Sequence, residues 1–342
     1  MSQNQDPEKV ATTASQEVKV ADSHTLHHDA VFGEITEEGP NYRDVGWLGT
    51  IVLMMKTQIG LGVLSLPAAF DSLGIVPGVI CLCAVGAITT WSDYMVGVFK
   101  LNHPEVYGLD DAGALMFGRI GREVFGLAFC LYWIFVTGSG MLGFSIGLNA
   151  VSTHGLCTAA FVALAAVLGF GFSSIRTLGR LTWVAWVGLT CLISADASVL
   201  VVAIAVGVQD RPSAAPQDGV WVSDKIINNP SFTDAITAIS TMVLAYSGTP
   251  AFFNIVAEMR DPRHYTGSLL IAQSGITAVY TVIGCVVYYY CGSYVASPAL
   301  GSAGGALKKI SYGIALPGLL VSITITTHVS VCSLVSLKFS SL

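Results

Sequence analysis

Residues 49–70 read GTIVLMMKTQIGLGVLSLPAAF, and this run most constrains what the chain can fold into. About 20 apolar residues cross the hydrocarbon of a bilayer, and this run is long and apolar enough to do so. Its middle nevertheless carries Lys56, Thr57, Gln58 and the Gly60-Leu61-Gly62 triplet, with Pro67 further on. Glycine weakens a helix by about 1 kcal/mol relative to alanine, and proline removes a backbone donor. In lipid the freed backbone groups need partners from protein, water or ligand. A span serving only as an anchor has no use for such a centre. Broken helices of this kind hold small polar solutes in secondary transporters.

The composition agrees with a membrane protein. The chain is 53% hydrophobic and 11% charged, against roughly 25% charged residues in soluble domains, and its mean hydropathy is +0.67. Much of the net charge of −6 comes from acidic residues near the N-terminus, and no basic patch points to nucleic acid. Residues 1–44 are polar, without the basic n-region and short apolar core of a secretory signal. They are expected to form a disordered cytoplasmic tail open to modification and to regulatory protein partners, so the first span serves as the targeting signal. His24, His27 and His28 lack the accompanying spacing of a zinc site, and no metal or organic cofactor is expected. Nearly all of the eight cysteines lie in apolar runs and read as small packing residues; Cys157 and Cys291 are the one pair placed for an outer disulfide.

Eight apolar runs follow, at about 47–70, 74–98, 123–150, 155–175, 181–208, 235–257, 268–294 and 313–337. They define a transmembrane domain over 45–342, with a first five-helix half at about 47–208 and a partial second half at about 235–337. Polar breaks separate the runs, among them Lys100–Arg122 and Gln209–Asp234. With a cytoplasmic N-terminus, eleven basic residues fall inside and four outside, which sets the orientation by the positive-inside rule.

The sixth run repeats the anomaly of the first. Tyr246-Ser247-Gly248-Thr249-Pro250 interrupts it at mid-depth. Breaks in spans one and six are the spacing expected of two repeated halves. Unwinding frees N–H groups, which suit a carboxylate, and C=O groups, which suit an ammonium or a metal cation. Two facing breaks therefore accommodate a zwitterion without a charged side chain. The alternative use of these glycines is close helix packing.

MMKTQIGLGVLSLPAAF, FGEITEEGPNYRDVGWLGT, DDAGALMFGRIGR and AEMRDP together resemble the amino acid/auxin permease family, closest to its fungal neutral amino acid permeases, over roughly residues 31–335. The resemblance implies an all-α integral membrane protein with a LeuT-type helical bundle of the APC superfamily, helices 1 and 6 broken. It implies import of neutral, including aromatic, amino acids with proton coupling. Family members usually have ten or eleven spans, so a chain of eight is expected to be truncated at its C-terminus.

By the same resemblance, the backbone of Gly60, Leu61 and Gly62 faces the substrate carboxylate. Thr57, Gln58, Ser247, Gly248 and Thr249 line the rest of the pocket. Tyr246, Phe252 and Phe253 are candidates to shape the side-chain subsite or its gate, with a lipid-facing or core position as the alternative for each. Ionisable groups within spans are functional candidates. Lys56 is expected to fill the position of a coupling cation, hydrogen-bonded to Thr326 and Thr327; snorkelling to the interface is its alternative. Asp196, mid-span in CLISADASVLVV, is the candidate proton carrier, with a structural partnership to Lys56 or a serine as its alternative. Glu258 and Asp93 are expected in ion pairs at the inner surface.

Three classes stay open on the sequence: a proton-coupled secondary transporter, a non-transporting amino acid sensor, and a truncated regulatory subunit. No HExxH, GxSxG or Walker motif supports an enzyme or an ATP-driven pump. The plasma membrane is the expected location, with the vacuolar membrane as the alternative.

Overall fold

The computed structural model describes residues 27–29, 33–35, 45–153, 155–174, 186–190, 193, 197, 225–295, 299 and 305–340. The chain divides into two units, Met1–Tyr42 and Arg43–Leu342. In the first, β1 (His27–Asp29) pairs antiparallel with β2 (Gly33–Ile35). Six residues of the expected tail thus have regular backbone pairing.

The second unit is a helical bundle. Its elements are α1 (Trp47–Gln58), a 3-10 segment (Leu61–Ser65), α2 (Leu66–Leu73), α3 (Ile75–Asn102), α4 (Leu109–Ser152), α5 (Thr158–Ser173), α6 (Phe232–Ala245), α7 (Phe252–Ala257), α8 (Tyr265–Cys291) and α9 (Gly305–Ser340). Among the described residues, five helical segments are long and apolar enough to span a bilayer. The bent pair α1–α2 makes a sixth. The expected span at 155–175 appears as the shorter α5, and most of the span at 181–208 lies outside the described residues. Large apolar side chains face outward along these helices, including Ile88, Trp91, Ile120 and Phe135. Contiguous exposed apolar surface of this kind suits lipid, not water.

One expected loop is helical. Within Lys100–Arg122, α4 begins at Leu109, and Gly118 (φ 66°, ψ −152°) breaks it. That positive φ is one that L side chains rarely adopt. The arms on either side fold close: a Cβ added at Gly121 would lie 2.3 Å from the Gly113 carbonyl oxygen. Cys157 and Cys291 are both free thiols.

Packing sorts the helices into two groups. α8 contacts α1, α2 and α3, while α2 packs on α6 and α3 on α7. Separately, α9 packs along α4 and α5. The first group holds both interrupted spans. Burial on α3 follows one stripe, Gly78, Leu82, Gly86, Asp93, Gly97 and Lys100, at the spacing of one helix face. Its glycines let neighbours approach, as Gly86 does Tyr246 and Gly97 does Tyr265.

Candidate functional site

Both interruptions form where the glycines and prolines lie. α1 ends at Gln58, and the chain passes through extended backbone at Gly60 into the 3-10 segment. The helices on either side are bent by 43°. In the sixth run α6 stops at Ala245, turns through Tyr246-Ser247-Gly248, and resumes after the 3-10 turn Thr249–Ala251 as α7. First-turn N–H groups have no acceptor within their own helix, and the 3-10 segment that follows the first break starts at Leu61-Gly62.

The two breaks touch. A Cβ added at Gly248 would sit 2.6 Å from Gln58 Cγ and 2.9 Å from Thr57 Oγ1, and one added at Gly62 would sit 3.8 Å from Ala245 Cα. Gln58 is buried at 6% exposure. Neither Nε2 nor Oε1 has a hydrogen-bond partner among the described residues. Buried amides are ordinarily satisfied, which makes this one a candidate ligand contact. Thr57 Oγ1 instead donates to the Met54 carbonyl at 2.8 Å.

Several of the freed carbonyls are already occupied. The Tyr280 hydroxyl lies 3.0 Å from the Gln58 carbonyl oxygen and 2.8 Å from that of Ala245, bridging the breaks. The Tyr132 hydroxyl donates to the Ser247 carbonyl. The expectation that unwound carbonyls face a ligand cation therefore needs correction at these positions, where phenols from α4 and α8 hold them. Neither tyrosine was singled out from the sequence.

The aromatic candidates separate. Tyr246 is buried, its hydroxyl 2.9 Å from Thr277 Oγ1 and its ring centroid 5.1 Å from that of Tyr280. Phe252 is fully buried in the main core. Phe253 packs with Val106 and Ala112 in a small satellite cluster and meets the Phe99 ring edge-on.

Lys56 lies inside the bundle at 3% exposure, not at an interface. Its ammonium donates to the Ser322 hydroxyl on α9. The expected acceptors are displaced from it. Thr326 bonds back to the Ser322 and Ile323 carbonyls, at 3.0 and 3.1 Å. Thr327 faces Gly169 on α5, and its buried hydroxyl has no hydrogen-bond partner among the described residues. Consecutive residues point about 100° apart on a helix, so Ser322 and Thr326 share one stripe and Thr327 leaves it. Asp196 lies outside the described residues.

Asp93 is not at an inner-surface ion pair. It is fully buried, and its Oδ2 accepts from Gln273 Nε2 at 2.6 Å. Glu258 is buried as well. Its carbonyl accepts from Val45 N at 3.2 Å, where the chain before α1 pairs with the end of α7.

The family model described as "Transmembrane amino acid transporter protein" matches residues 43–339. A transmembrane transporter of Gibberella moniliformis is 33% identical over 332 residues, covering 93% of this chain and 69% of the relative. A transmembrane transporter of Fusarium pseudograminearum is 33% identical over 294 residues, covering 86% and 61%. The N amino acid transport system protein of Neurospora crassa is 34% identical over 308 residues, covering 86% and 63%. The chain thus spans less than two thirds of the Fusarium and Neurospora relatives. By the extent of these matches, with two interrupted spans meeting inside an apolar bundle, the chain belongs to the transmembrane amino acid transporter family.

Proposed function

We propose that this protein is a secondary active transporter that imports neutral, including aromatic, amino acids by proton symport with alternating access. The observation that carries the reading is the contact between the two breaks, with the unsatisfied Gln58 amide beside Gly248. The N–H groups that start the 3-10 segment at Leu61 and Gly62 suit the substrate carboxylate, and the Gln58 amide suits either charged end. Ser247 and Thr249 border the same junction. No charged side chain is needed for the zwitterion, which fits a neutral substrate.

The two packing groups support alternating access, since such transporters rock one bundle against another about a central site. Lys56 to Ser322 and Tyr132 to Ser247 are hydrogen bonds that cross between the groups beside the breaks. The buried ammonium of Lys56 puts a fixed positive charge beside the first break, which favours a proton over sodium as coupling ion. The N-terminus is cytoplasmic on this reading, its tail is a surface for regulatory proteins, and the plasma membrane is the site of action.

The test is counterflow of radiolabelled leucine and phenylalanine in proteoliposomes containing the purified protein. Exchange that Gln58→Leu weakens by about tenfold or more, for loss of a hydrogen bond in a buried site, supports the reading. Absence of exchange by correctly inserted protein overturns it.

A further inference from the structure

Asp93 is a buried carboxyl that the substrate site does not use. It projects from the glycine-bearing stripe of α3 into the group that holds both breaks. Oδ2 accepts from Gln273 on α8 at 2.6 Å. Oδ1 is buried without a hydrogen-bond partner among the described residues. The Thr249 side chain, in the second break, faces the same carboxyl without reaching bonding geometry at Oδ1. Tyr265 donates its hydroxyl to the Asp93 main-chain carbonyl at 2.7 Å. Among the described residues, Tyr265 is the titratable group that faces Asp93 from α8, and no basic side chain faces it from α3, α7, α8 or the second break.

The hydrogen-bond inventory of this cluster suits two protonation states. As a carboxylate, Asp93 only accepts, and Gln273 serves it with an N–H. As an acid, Asp93 gains an O–H donor. The Oε1 of Gln273 is buried and without a partner among the described residues, so it is an acceptor in waiting. Thr249 is another. Rotation of the Gln273 amide, or of the Thr249 hydroxyl, answers the change of state without repacking. Gln273 also borders a groove of about 630 Å³ between α3 and α8, beside Thr90 and Thr277.

We propose that Asp93 carries the coupling proton, and that Thr249 transmits its protonation state to the second break. A proton from one aqueous phase adds to the Asp93 carboxylate and leaves to the opposite phase after the groups rock, with no other bond made or broken. The inference rests on the transporter reading and gives its proton a named carrier within the described residues. Linkage makes the coupling reciprocal: a proton that tightens substrate binding is itself held more tightly by bound substrate.

The test uses proteoliposomes containing the protein or its variants, with tritiated phenylalanine as probe. It compares counterflow at symmetric pH with accumulation driven by an inward proton gradient. Asp93→Asn is expected to exchange phenylalanine yet lose gradient-driven accumulation, a fall on the order of tenfold for a typical coupling. Gln273→Leu removes a donor that favours the carboxylate, so the pH of half-maximal uptake is expected to rise. Accumulation by Asp93→Asn at the unaltered level, or an unmoved midpoint in Gln273→Leu, overturns the proposal. Counterflow by the unaltered protein with no response to a proton gradient overturns it while leaving the transporter reading standing. No counterflow by the unaltered protein overturns both.

Discussion

Gly248 lies directly against Gln58: a Cβ placed on the glycine would come within 2.6 Å of Gln58 Cγ. The residues belong to different breaks, 190 positions apart, and their contact makes one site from two interruptions. Gly248→Ala is expected to push Gln58 or Thr57 aside and to spread the breaks. Displacing site groups by about 1 Å can lower activity on the order of 100-fold. The KM of phenylalanine counterflow is therefore expected to rise by at least about tenfold. An unchanged KM would show that the contact does not shape the pocket.

Tyr280 is the second tie between the breaks, and its removal tests stability more than affinity. The phenol is fully buried and serves carbonyls of both Gln58 and Ala245. Tyr280→Phe keeps the ring and its edge contact with Tyr246 but strips the shared donor. A buried acceptor left unmet costs about 1–3 kcal/mol. Thermal unfolding in detergent is expected to shift downward accordingly, and a variant as stable as the parent would refute the clasp.

Tyr132 crosses from the α4–α5–α9 group to the Ser247 carbonyl. A bond between two groups that move relative to one another biases their equilibrium, and losing it favours the state in which it is absent. Tyr132→Phe is expected to change labelling at a single cysteine introduced at Ser65, beside the first break, with phenylalanine binding retained. Equal labelling rates in Tyr132→Phe and its parent would remove Tyr132 from the conformational balance.

The breaks were legible because their cause is local. Gly60, Gly62, Gly248 and Pro250 alter their own backbone, so position alone marks the interruption. The residues that tie the breaks were not legible. Tyr280, Tyr132 and Ser322 lie in apolar helices where a tyrosine or serine reads as ordinary packing, and their partners are 222, 115 and 266 residues distant. Asp93 departs from its expected ion pair for a different reason. Position along α3 says how near a residue is to the helix end, whereas burial depends on which face it occupies. Gly78, Gly86 and Gly97 share that face, and small residues mark the packing side of a membrane helix. That stripe was visible in the sequence and was the signal for a buried carboxyl. Likewise Thr326 and Thr327 looked equivalent as neighbours, whereas helical geometry separates them.

Lys56 and Ser322 provide the last prediction, because they separate a structural ammonium from a coupling device. If the ammonium stands where a cation would, uptake is expected to be independent of sodium, and Lys56→Ala is expected to lower uptake severely. Ser322→Ala removes one acceptor and leaves the charge in place, so its effect is expected to be smaller. A hydrogen bond to a charged group contributes about 1.5–3 kcal/mol, and a double-mutant cycle isolates that share. Measured on phenylalanine uptake at pH 5 and pH 7.5, the cycle is expected to show coupling between the two residues at both values. Uptake by Lys56→Ala that matches the parent in rate and pH dependence would reduce Lys56 to a packing residue. Sodium dependence appearing only in Lys56→Ala would instead show that the ammonium had been holding a vacant cation position.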